Sequence, residues 1–149
     1  MKKDIRYVPS PLVVVEGMLD LANVGSDDVF FDLGSGDGRL VLAAARRGSR
    51  AIGIDLDPRL VQRSRDTAAI EGLEDQVEFR VQNFFETDLS TASVVALYLR
   101  DSVNLALRDK LRSKLCPGSR IVSHSFAMED WTPDRHITVD SKWLFLWTV

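Results

Sequence analysis

A single cysteine, Cys116, occurs in the 149 residues, so no disulfide can close within the chain. It reads as a packing or surface residue in a reducing cytoplasm. The two histidines, His124 and His136, are joined by no cysteine cluster, which leaves neither a metal site nor a Ser/His/Asp arrangement to defend. No apolar run approaches the length of a membrane span, and the start MKKDIRYVPSP lacks the apolar core of a signal peptide. An excess of one charge is missing too. With 19 basic and 22 acidic residues the net charge is -3, and Lys2-Lys3 and Arg46-Arg47 are isolated pairs, which disfavours an enzyme that tracks nucleic-acid phosphates. No repeat, low-complexity tract or linker interrupts the chain. The expectation is one domain over 1–149, with a lead and helix in 1–28 and a core in 29–149, too short to add a separate recognition domain.

What the chain does have is VFFDLGSGDGR over 29–39, an apolar strand running into Gly34, Gly36 and Gly38. Such a turn lets a ligand approach bare backbone, because glycine has no side chain and tolerates positive φ. The spacing selects among cofactors. Gly34-Ser35-Gly36-Asp37-Gly38-Arg39 is GxGxG with arginine where a dinucleotide fingerprint wants its third small residue, and no GxxxxGK[ST] occurs. NAD and ATP therefore both lose ground.

The pattern resembles the first motif of class I S-adenosylmethionine (SAM)-dependent methyltransferases, an acidic residue followed by xGxGxG, with Asp32 as the acid. A second strand, RAIGIDLDP, ends in Asp55, about 20 residues beyond the glycines, where an acid is placed to accept hydrogen bonds from two ribose hydroxyls. Ser35 in the turn and Leu56 after Asp55 are assigned to the cofactor side with them. Asp57, ahead of Pro58, reads as a helix cap.

Along the chain, 7–11 is an extended lead set by two prolines, and 12–24 reads as a helix. After the glycine turn 40–45 is helical, 58–71 is a helix stopped at Gly72, 77–81 a strand and 94–99 an apolar strand. The helix over 101–115 ends at Pro117-Gly118, 119–126 is a strand, and 137–139 with 143–149 form a terminal hairpin. Alternating strands and helices predict an α/β fold, a Rossmann-like, doubly wound, mainly parallel sheet with a C-terminal antiparallel hairpin. Ligands then bind at the carboxyl ends of the strands.

Those ends supply the remaining candidates. Asn83, after the third strand, has a side-chain oxygen able to accept from the adenine amine, or it is a loop-start asparagine. Phe84 lies against the adenine or in the core, and Phe85 is assigned to the core. The fourth strand leads into Leu97-Tyr98-Leu99-Arg100 in place of the NPPY or DPPY that handles base amino groups. Tyr98 lines the acceptor pocket or closes the core there. His124 is a candidate proton acceptor or a structural histidine.

In order, YVPSP, DLGSGDGR, GIDLDP, FFETDLS, LYL, PGSRIVSHSF and DWTPD resemble the small protein-lysine methyltransferases. That family includes broad-specificity archaeal enzymes and the mitochondrial enzymes acting on the ATP synthase c-subunit and on the adenine nucleotide translocase. The resemblance implies SAM as donor and a protein with an accessible lysine as partner; from charge and hydropathy, neither nucleic acid nor membrane is expected as a partner. It implies Gly34, Gly36, Asp55 and Asn83 around the cofactor, and Tyr98, Ser123, His124, Phe126 and Trp131 on the acceptor side. Where relatives tend to have aspartate, this chain has Asn83 and Ser125, and it lacks the membrane-targeting lead of the mitochondrial members. Lysine is a hard acceptor, with an ordinary pKa of about 10.4, and a dry aromatic channel of Tyr98, Phe126 and Trp131 would lower it. Methylation of a small molecule or RNA, or SAM binding without catalysis, are the alternatives.

Overall fold

The computed structural model describes residues 10–98 and 101–149, with the side chains of Asp101 and Ser102 left aside. Residues 7–9 of the expected lead and Leu99 lie outside them. Helix α1 (Leu12–Leu21) is followed by β1 (Val29–Leu33), α2 (Arg39–Arg46), β2 (Arg50–Asp55) and α3 (Pro58–Ile70). Then come β3 (Val77–Val81), a single 3-10 turn at Phe84–Glu86, β4 (Val94–Leu97), α4 (Asp101–Lys114), β5 (Arg120–His124), β6 (Arg135–Val139) and β7 (Lys142–Thr148). One sheet runs β3-β2-β1-β4-β5-β7-β6, with β7 antiparallel to both neighbours and the other pairs parallel. The doubly wound sheet and its terminal hairpin match the expectation from alternating strands and helices.

Both faces are covered, which is why the inner strands are nearly all apolar. On one face α1, α2 and α3 pack Val15, Met18, Val41, Ala44 and Ala68 against Phe30, Ala96 and Val122. On the other, Leu107 and Leu111 of α4, with Leu115 just past its end, pack against Phe31, Val95 and Ile121, with Trp147 of the hairpin. The hairpin turns at Asp140-Ser141, both at positive φ (51° and 64°), the backbone that matches strand twist in a two-residue turn.

The expected helix caps are met by observed contacts. The Asp57 carboxylate accepts from Arg59 N at 2.9 Å with Pro58 opening α3, and Gly72 takes a φ of 71° just past its end. Gly38 caps α2 at φ 84°, and a Cβ there would meet Ser64 Oγ at 2.8 Å and the Phe79 ring at 3.0 Å. Gly38 therefore carries a packing constraint besides its place in the glycine turn. The constraint on Gly38 comes from the packing of α2 against α3 and β3 beneath the turn. Gly38→Ala should cost about 2–4 kcal/mol, from a strained φ together with overpacking. Chemical denaturation checks this, and a midpoint equal to wild type would show that the loop has room to shift.

Candidate active site

Strand order reverses between β1 and β4, so the turn after Leu33 and the segment after Leu97 open side by side at one crevice, Leu33 being paired with Leu97. In open α/β sheets this is where ligands bind. On the β1 side, Gly34, Gly36 and Gly38 all sit at positive φ (89°, 57° and 84°). The amides of Gly34 and Ser35 both donate to the Ile54 carbonyl, at 2.8 and 2.9 Å, anchoring the turn to the end of β2. Asp55 then accepts from Gly36 N at 2.9 Å through Oδ2 and from Asp57 N at 3.0 Å through Oδ1. Two backbone amides thus orient a half-buried carboxylate, and each oxygen keeps a lone pair for a further donor.

Asp32 lies at the root of the same turn, 5 % exposed. Burial first, then the neighbouring charges of Asp55 and Asp37, push its carboxyl well above the ordinary range. A cationic ligand placed against these three acids would relieve that repulsion. The Ser35 hydroxyl is buried with no hydrogen-bond partner among the described residues, so the turn offers a polar group that the protein leaves unused. Leu56, by contrast, is 64 % exposed beside Asp55, an apolar surface with no packing duty of its own.

Beyond β3 the chain enters the 3-10 turn at Phe84–Glu86. Asn83 Oδ1 accepts from Phe85 N at 2.9 Å and so caps the 3-10 turn, leaving one lone pair and the amide N–H groups for other partners. Asn83→Asp should keep this cap and leave SAM affinity unchanged or tighter, since an ionised acceptor bonds more strongly to an N–H. Calorimetry giving a tenfold loss would place Asn83 elsewhere. Phe84 takes the core alternative, and Phe85, expected in the core, does not. Phe84 is buried with Leu33 and Ile54, whereas Phe85 is 44 % exposed, because a 3-10 turn rotates successive residues by about a third of a circle. Lys110 of α4 holds this turn from behind, donating to the carbonyls of Phe85 and Thr87 at 2.6 Å each.

On the β4 and β5 side, Tyr98 lies flat against His124, ring centroids 3.8 Å apart and 18° between planes, with the Phe126 ring 6.3 Å from Tyr98. Ser123 is buried alongside and its hydroxyl donates to the Phe126 carbonyl. Ser125 turns the chain at φ 72°, a conformation that suits glycine or a short polar side chain. Trp131 does not join this group through its ring contacts. It packs on Trp147 at 5.9 Å, and Arg112 covers it at 4.7 Å, so its π face already holds a cation.

His124 is 1 % exposed, with Nδ1 3.0 Å from Ser10 Oγ and Nε2 buried without a partner among the described residues. Burial, and secondarily the charge of Lys142, lowers its pKa to about 4. This burial suits the structural alternative for His124. Taking a proton from an ordinary lysine, pKa about 10.4, would be uphill by about 9 kcal/mol. The depressed folded-state value also gives a stability window with a definite sign. The unfolded histidine protonates near pH 6.5 and the folded one near 4, so stability is full above 6.5 and falls by about 3 kcal/mol as the pH drops to 4. Urea midpoints of wild type should decline across that window and those of His124→Gln should stay flatter. Parallel curves would remove His124 as the cause.

Ser10, Arg39 and Asn104 join the site without having been expected there. The Ser10 carbonyl accepts from Arg39 Nη1 at 3.0 Å, and Arg39 pairs with Asp37 at 2.7 Å, so the first described residue is tied both to the glycine turn and to His124. Nothing in the sequence signals that link. Asn104 does leave a signal, a polar residue in register with the buried stripe Leu107, Leu111 and Leu115.

Residues 32–135 match the family described as the ANTKMT methyltransferase domain. The chain belongs to that family. It is 37% identical over 138 residues to a protein-lysine N-methyltransferase of Saccharolobus islandicus, covering 91% of this chain and 86% of that one. It is 36% identical to the adenine nucleotide translocase lysine N-methyltransferase of Mus musculus, over 89% of this chain but 58% of the mouse protein. Among solved structures, an RNA methyltransferase from Salinibacter ruber, in complex with S-adenosyl-L-homocysteine, superposes with a TM-score of 0.93 at 49% identity. That match covers 95% of this chain and 94% of the other. The protein is a SAM-dependent methyltransferase of class I architecture. The positive-φ turn, the oriented Asp55, the buried Asp32 and the unused Ser35 hydroxyl fit a cofactor with vicinal hydroxyls and positive charge. Among the described residues no helix is long and apolar enough to cross a membrane.

Proposed function

We propose that this methyltransferase acts on the ε-amine of lysine in a protein substrate. The observation that carries the reading is the stack of Tyr98 on the buried His124, with Phe126 beside it. An aromatic lining that excludes water disfavours the ammonium form, so a lysine entering along it is driven toward the free amine, its proton passing to solvent. Tyr98 and Phe126 supply an aromatic wall along which the aliphatic lysine stem packs. The bound cofactor supplies an activated methyl on sulfur. Asp55 and the glycine turn would hold it from the β1–β2 side and Asn83 would serve its adenine, while the Tyr98 wall would orient the incoming nitrogen.

The names of the archaeal and mouse relatives support lysine as acceptor. RNA is the second reading, favoured by the name of the Salinibacter protein. Against it stands a net charge of -3 in a chain with no basic run to neutralise phosphates. Radiolabelled SAM incubated with the enzyme and separate protein, RNA and metabolite fractions of a lysate decides between them. Label in the protein fraction, mapped to lysine after digestion, is expected. Label confined to RNA or metabolites would overturn the proposal, and tight SAM binding with no label in any fraction would point to a non-catalytic module.

A further inference from the structure

We infer that Asn104 is a positioning residue for methyl transfer, fixing from α4 the segment after β5 that forms the acceptor wall. The inference rests on the reading of Tyr98, His124 and Phe126 as that wall. Asn104 Nδ2 donates to Ser123 Oγ at 3.3 Å and to the Phe126 carbonyl at 3.2 Å, thereby holding both ends of the turn at Ser125. It heads a row on one face of α4, since residues four apart lie above one another on a helix. Next in the row, Arg108 pairs with Asp130, and then Arg112 lies over Trp131. The helix therefore grips the whole course of 123–131, and Asn104 is the grip nearest the crevice.

Stability does not account for an asparagine there. Asn104 is fully buried and its Oδ1 has no hydrogen-bond partner among the described residues, so the amide is only half satisfied. A half-satisfied buried amide is worse for folding than an apolar side chain of similar size. Leucine would extend the stripe of Leu107, Leu111 and Leu115, and Ser123 Oγ would still donate to the Phe126 carbonyl. What leucine cannot do is tie Ser123 and that carbonyl to α4, and so set the Phe126 ring relative to Tyr98 from the helix.

Asn104→Leu is the direct test. Thermal midpoint and calorimetric SAM affinity are measured beside kcat and KM for a lysine-containing peptide library and, separately, for total RNA. The expected result is a midpoint equal to or above wild type, SAM affinity within about twofold, and kcat/KM for the accepted substrate down by about tenfold. Unchanged kcat/KM in the folded variant, or a loss that merely follows a lowered midpoint, would overturn the inference. Should the leucine variant fail to fold, Asn104→Met removes both donors without adding a charge, and the same split is expected of it. Activity on RNA alone would defeat the lysine reading, and the ratio between variant and wild type would still decide the role of Asn104.

Discussion

Asp55→Ala should weaken SAM binding by about 2 kcal/mol or more, roughly thirtyfold in Kd, because a charged hydrogen-bond acceptor is lost. The same carboxylate accepts from Gly36 N and Asp57 N, so its removal also frees the glycine turn that the cofactor must meet. Asp55→Asn keeps one acceptor oxygen and should lose less. The measurement is calorimetric titration with SAM and with S-adenosyl-L-homocysteine on folded variants. Equal affinities for wild type and Asp55→Ala would refute the assignment of Asp55 to the ribose.

The second large effect concerns the acceptor. If lysine is methylated as the free amine, kcat/KM should climb about tenfold for each pH unit through the neutral range, until the pH approaches the free lysine pKa of about 10.4, whereas kcat should level off at the lowered value lysine takes in the channel. His124, neutral above about pH 4 in the folded protein, should add no inflection near 6.5. An RNA base or a hydroxyl acceptor has no reason to follow such a slope. A flat profile between pH 6 and 9 with a protein substrate would show that the amine is deprotonated before chemistry limits the rate, or that it is not the acceptor.

The glycine turn and Asp55 were legible in the chain because their chemistry is local. GxGxG needs backbone at positive φ, and Gly34, Gly36 and Gly38 all have it. An acid at the end of the next strand is brought to the turn by the shortest parallel crossover, with Gly36 N as the visible link. Alternation of apolar strands with helices likewise decided the doubly wound sheet, since only buried parallel strands read as unbroken apolar runs. The acceptor side was legible in outline. Tyr98, His124 and Phe126 were singled out from three positions and do meet, because neighbouring β4 and β5 end at the same level.

Tertiary structure decided the rest, for reasons that no local pattern carries. Trp131 turns to Trp147 and Arg112, and Phe84 rather than Phe85 is buried, because those outcomes depend on which neighbouring surface is free to take the ring. The loss of basicity at His124 comes from burial under Tyr98 and the nearness of Lys142, residues 26 and 18 positions away in the sequence. The ties of Ser10 to Arg39 and His124, and of Asn104 to Phe126, span strands or helices that only the packed sheet brings together. Periodicity and motif spacing were enough to place the glycine turn and Asp55 at neighbouring strand ends. Long-range packing set the charge, exposure and orientation of the groups that face the acceptor.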